Sequence, residues 1–135
     1  MTADAISPDR SLTGLLSTPA PLLQLDGALC AAMGAVMAVA AGPVSDLLGT
    51  DETGMVRAVG IALVAYAVAL FASARSRWSR PVLTAAGIGN IGWELGSLAV
   101  AALADLSTTG RVLVAAQGVV VGVLAVVQLR ARRDR

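Results

Sequence analysis

Residues 58–72 read AVGIALVAYAVALFA, with no charged side chain and Tyr66 as the one polar residue. A helix of a water-soluble bundle carries a polar stripe on its solvent side, and this stretch has none. Its apolar run extends over residues 55–74, close to the ~20 residues needed to cross a ~30 Å hydrocarbon core. Residues 22–41, 81–104 and 111–129 have the same character. The connections between these runs are short, so sequential helices pack against one another in opposite directions. The expected fold is all-α: a membrane-embedded antiparallel four-helix bundle over residues 22–129. Residues 1–21, with Asp4, Asp9, Pro8, Pro19, Pro21 and one arginine, read as a disordered cytoplasmic arm. A secretory signal would instead begin short and basic. Residues 130–135 form a basic cytoplasmic tail.

Composition supports the membrane reading. Of 135 residues, 56% are hydrophobic, against about 45–50% in soluble domains, and mean hydropathy is +0.76. A soluble chain of this size leaves about a third of its surface in water, which here would be largely apolar. The net charge of +1 offers no global attraction to a polyanion, so no nucleic-acid partner is expected. With one cysteine, Cys30, and no histidine, an internal disulfide, histidine-ligated haem and histidine zinc sites are excluded. No cofactor and no metal are expected. Asp26, Cys30, Met33 and Met37 share a helical face, and thioether and thiol are soft ligands for Cu(I). Methionine is also ordinary core filler, and no methionine-rich loop feeds the face. The run Gly87-Ile88-Gly89-Asn90-Ile91-Gly92 matches the dinucleotide fingerprint, which requires a preceding strand and a helix N-terminus. Here it lies inside an apolar span, so nucleotide binding is rejected.

Loop charge predicts direction through the positive-inside rule. Arg75, Arg77 and Arg80 lie between the second and third runs, and Arg130, Arg132, Arg133 and Arg135 lie in the tail. The opposite loops hold Asp46, Asp51, Glu52 and Asp105, with Arg57 and Arg111 at helix starts. The expected location is therefore a bacterial cytoplasmic (inner) membrane, multi-pass, with both termini cytoplasmic. Arg75, Arg77, Arg80, Arg130, Arg132 and Arg133 are candidates for lipid-headgroup contact, with Trp78 as an interfacial anchor. Gly42-Pro43 is expected to close the first span, followed by an interfacial turn at 45–49. Thr50-Asp51-Glu52 is expected to cap the second span, and 107–110 to form a polar turn before the fourth.

In lipid, helices associate through close backbone contact and polar links. Gly89, Gly92 and Gly96 in the third span, and Gly118 and Gly122 in the fourth, are candidate helix-packing positions. Asn90, Trp93, Glu94 and Ser97 fall on one face of the third span, about 130° from its glycines. Intramembrane acids are costly and the default place to look for function. There are two, Asp26 and Glu94. Counting ~1.5 Å per residue from the outer ends sets Asp26 level with Asn90, and Glu94 level with Tyr66. The expectation is an interior polar network: Asp26 with Asn90 on one tier, and Glu94 with Tyr66 and Gln117 on the next. Such a network serves either as interhelical glue or as a proton- or ligand-handling site.

Asp26, Gly42-Pro43 with Leu47-Leu48-Gly49, Gly60, Asn90-x-x-Trp93-x-x-x-Ser97 and Gln117 form a pattern. Over about residues 22–130 it resembles a group of small four-span bacterial integral membrane proteins, described as hypothetical. The resemblance implies the fold and no catalytic role. It favours Asp26, Asn90 and Trp93 over Glu94, which stands where such proteins often carry an apolar residue. No nucleophile–base arrangement points to an enzyme. The expected function is an accessory or interaction subunit of a larger membrane complex, with membrane lipid and a membrane-protein partner or a second copy as partners. The alternatives are a small homodimeric proton-coupled transporter or channel using Asp26 or Glu94, and a lipid- or ligand-binding bundle.

Overall fold

The computed structural model describes residues 12–133. These residues are all-helical and form α1 (Leu12–Leu15), α2 (Pro19–Val39), α3 (Ala41–Leu48), α4 (Thr53–Ala74), α5 (Ser79–Leu103) and α6 (Thr108–Ala131). Three helices, α2, α4 and α6, are long and apolar enough to cross a membrane, the pattern of a multi-pass membrane protein. The 25-residue α5 is longer than any of them, but Asn90, Trp93, Glu94 and Ser97 dilute its apolar run.

Local chemistry sets the helix ends, in places differently from the sequence expectation. Of the expected N-terminal arm, residues 1–11 lie outside the described residues, as do 134 and 135 of the tail. The rest of the arm forms α1 and the first turn of α2. Pro19 and Pro21 are tolerated there because the first N–H groups of a helix have no intrahelical partner. Gly42-Pro43 does not end in a simple turn. Pro43 lacks the N–H that would bond the Val39 carbonyl, so α2 stops at Val39. The ladder resumes at once, with Val44 N–H donating to Ala40 O at 3.0 Å, and residues 45–48 belong to α3. Gly49 then ends α3 with φ 71°, a left-handed conformation that favours glycine. Thr50 does not cap α4. The N-cap is Glu52, whose N–H donates to Thr50 Oγ1 at 3.3 Å. Ser107 is the N-cap of α6, accepting from Gly110 N–H at 2.9 Å.

The helices associate as two pairs, α2 with α4 and α5 with α6. In the first seam, Gly27 meets the Phe71 ring, Gly34 meets Gly60 and Leu63, and Gly60 meets Ala38. In the second, Gly87 lies against Leu129, Gly118 against Ser97, and Gly122 against Glu94. Arg111 of α6 donates to the Ala101 and Ala102 carbonyls at 2.7 and 3.3 Å, satisfying the last turn of α5.

The two pairs meet firmly at their ends. At the end carrying Arg75–Arg80, a cluster of Leu22, Leu23, Leu70, Ala74, Leu83 and Ala86 joins α2, α4 and α5, with Val127 and Ala131 of α6 against it. At the opposite end α3 reaches α6: Ser107 donates through N–H to Leu48 O at 2.9 Å and through Oγ to Leu47 O at 3.1 Å. Contacts between the pairs are few beside those within each pair, and a cleft opens between them. The outer surface is apolar along its length, with Ile61, Val68, Ile88, Leu95 and Val123 exposed. A hydrophobic exterior of this extent suits lipid rather than water.

Candidate functional site: an interior polar network beside an apolar cleft

Asp26, Asn90 and Gln128 are buried side by side, 2%, 5% and 0% exposed, next to the apolar cluster at the arginine-bearing end. Asp26 Oδ2 accepts from Asn90 Nδ2 at 2.8 Å and from Gln128 Nε2 at 2.7 Å. Asn90 Nδ2 also donates to Gln128 Oε1 at 3.0 Å. Cys30, one turn after Asp26, donates its thiol to Oδ1 at 3.5 Å. The cluster links α2, α5 and α6, and so ties the two helix pairs together. A buried polar group is costly unless paired, and here each carboxylate oxygen has a donor.

Gln128, which is not among the candidates drawn from the sequence, lies one residue inside the expected end of its span. A signal existed. Gln128 follows Gln117 by eleven residues, about three turns at 3.6 residues per turn. The two glutamines therefore share one face of α6.

A second polar group lies further along α5. Trp93 Nε1 donates to Gln117 Oε1 at 2.9 Å, and Gln117 Nε2 donates to Ser97 Oγ at 2.7 Å and to Val114 O at 3.0 Å. Gln117 is fully engaged with these partners. The expected tier of Glu94, Tyr66 and Gln117 is thus not what the structure assembles. Glu94, half-buried, has no hydrogen bond among the described residues; its carboxyl lies over Gly122, where a Cβ would overlap it. Tyr66 is half-buried on α4 and packs among Leu63, Ala67 and Leu70, also without a hydrogen bond. The level of Glu94 and Tyr66 on their spans does not bring them together, because Glu94 turns toward α6 and Tyr66 toward the cleft.

The glycines divide. Gly118 and Gly122 are buried and pack against α5. Gly89, Gly92 and Gly96 are not packed against a neighbouring helix: among the described residues, a Cβ at any of the three would meet nothing within 4 Å. They are exposed, and face the cleft. The cleft has two chambers. The smaller, about 470 Å³, lies between α4 and α5 over Cys30 and Met33 of α2, and includes Tyr66, Asn90 and Trp93. The larger, about 1010 Å³, runs toward α3 along Gly89, Gly92 and Gly96, with Trp93, Ser97 and Gln117 on its wall. Met33, Val59, Gly89 and Trp93 border both.

Arg75, Arg77, Arg80, Arg130, Arg132 and Arg133 are all exposed. Arg77 lies over the Trp78 ring at 5.2 Å from its centroid, a cation–π contact. Contacts between the start of α5 and the end of α6 put the two arginine groups at one end of the molecule. No group of three or more Cys, Asp or Glu among the described residues is placed to hold a metal ion.

Comparison with known proteins gives no match to any family model, curated protein or solved structure.

Proposed function

We propose that the chain is a four-span antiparallel bundle of a bacterial inner membrane, with both termini cytoplasmic, and that it serves as an accessory subunit of a larger membrane complex. At ~1.5 Å per residue, α5 is about 37 Å long, enough to be the fourth span beside α2, α4 and α6. Its most buried polar groups, Asn90 and Ser97, turn to α2 and α6. The reversed order of contacts along both seams supports the antiparallel arrangement. The exposed arginines gathered at one end support the orientation, and fit contact with anionic headgroups there.

The observation that carries the accessory role is the bare glycine face of α5. Gly89, Gly92 and Gly96 expose backbone along the larger chamber, with space where side chains would stand. In lipid, small residues at this spacing are what let another helix approach closely. A partner transmembrane helix laid along this face would bury it. Proton-coupled transport has less support, since Asp26 is 2% exposed and held by donors from three side chains.

The test is native mass spectrometry of the protein extracted mildly from its own membrane, alongside Gly92→Leu. The expected result is a stoichiometric foreign subunit on the wild type and its loss from the variant. A homodimer without a foreign subunit would redirect the reading to the transporter class, and a lone monomer would overturn both.

A further inference from the structure

We infer that the smaller chamber, between α4 and α5, is a binding site for a neutral lipid alcohol: an apolar chain bearing a single hydroxyl. Its walls are Met33, Val59, Leu63, Leu70, Val82 and Val121, and its volume of about 470 Å³ falls within the ~300–1,000 Å³ of ordinary ligand pockets.

Two residues that line this apolar space, Asn90 and Tyr66, each carry a side-chain oxygen with no hydrogen-bond partner among the described residues. Asn90 is 95% buried, being 5% exposed, and both its recorded bonds use Nδ2, so Oδ1 has no donor among the described residues. The Tyr66 hydroxyl has no hydrogen-bond partner among the described residues either. Among the described residues, Ser45 Oγ is the one fully enclosed side-chain polar atom without a hydrogen bond. The Asn90 and Tyr66 oxygens are therefore not sealed in protein, and both residues line the chamber. Polar atoms placed in an apolar cavity fix the orientation of a ligand, and leaving them unpaired in lipid is costly.

The donor–acceptor pattern selects the ligand. Asn90 Oδ1 requires a donor, and a phenol offers one. A ligand hydroxyl meets both needs, donating to Asn90 Oδ1 and accepting from Tyr66. A quinone or ester carbonyl accepts only and leaves Asn90 unsatisfied. Among the described residues, no Asp, Glu, Lys or Arg lines the chamber, so a carboxylate, phosphate or ammonium head would enter without a counter-charge. The occupant reaches the site sideways from the membrane, where contacts between α4 and α5 are sparse.

Trp93 borders the chamber and Trp78 does not, so a Trp78→Phe background leaves one reporter. The protein in nanodiscs is titrated with farnesol and, separately, with the hydrocarbon farnesane. The expected result is a saturable Trp93 emission change with farnesol, at least tenfold weaker with farnesane. Tyr66→Phe, which deletes one oxygen and no packing, should weaken farnesol binding at least threefold. Asn90→Asp would be the harsher variant, because it disturbs the network around Asp26. Equal responses to alcohol and hydrocarbon, a non-saturable response, or unchanged farnesol binding in Tyr66→Phe would each overturn the assignment. Gly92 borders the larger chamber alone. Loss of a partner in Gly92→Leu with farnesol binding intact therefore separates this site from the accessory role.

Discussion

The glycines of the α2–α4 seam and those of α5 look alike in sequence and differ in the structure. Gly34 and Gly60 are pressed against backbone: a Cβ on Gly34 would lie 2.7 Å from Gly60 O, and one on Gly60 would lie 2.8 Å from Gly34 O. Gly89, Gly92 and Gly96 face open space. The first set lets two helices of the same chain touch. The second leaves a flat wall beside a cleft. Small residues on one helix face mark a surface capable of close approach, and say nothing about whether the chain itself supplies the neighbour.

The comparison can be broken at its packed side first. Gly60→Val places a branched side chain against the Ala38 and Met37 backbone, which cannot yield. It should cost about 3 kcal/mol, read as an earlier midpoint in reversible unfolding in detergent. An unchanged midpoint would mean that the α2–α4 seam is looser than drawn. Next in size is Asp26→Ala, which strands the Asn90 and Gln128 amides in the interior. A loss of about 2 kcal/mol is expected, with Asp26→Asn costing less because it keeps an acceptor. Gln117→Leu removes the partner of Trp93 Nε1. Stability should fall by about 0.6 kcal/mol, the average for interhelical bonds in lipid, and the near-ultraviolet dichroism of Trp93 should change. On the open side, Gly92→Leu should leave the stability of the isolated protein within about 0.5 kcal/mol. A large loss there would show that the α5 face is already packed.

The two polar groups extend the contrast. Asp26, Asn90 and Gln128 are closed on one another and bridge the helix pairs. Trp93, Gln117 and Ser97 connect α5 to α6 alone and stand on the wall of the larger chamber. The shared level of Asp26 and Asn90 was legible by counting residues along their spans, because rise per residue is constant in a helix. For Gln128 the face was legible from its spacing to Gln117, but the partners it meets across the helices were not. Rotation, which counting cannot supply, separates Glu94 from Tyr66. Each side chain follows the contact its helix makes, Glu94 into the gap left by Gly122 and Tyr66 into the chamber.

By itself the sequence determined the helical class, the approximate extent of the long helices and the gathering of arginine at alternate connections. These follow from the period of the α-helix, the length of an apolar run and the chemistry of proline and glycine, all local along the chain. Only the tertiary structure decided that the helices pair two by two, that α3 bridges to α6, and that α5 leaves its glycines bare. It also decided which polar side chains meet. Those outcomes depend on the rotation of each helix about its axis. In an apolar solvent that rotation is set by which small residues find a neighbour and which polar groups find a partner, and both are relations between segments distant in sequence.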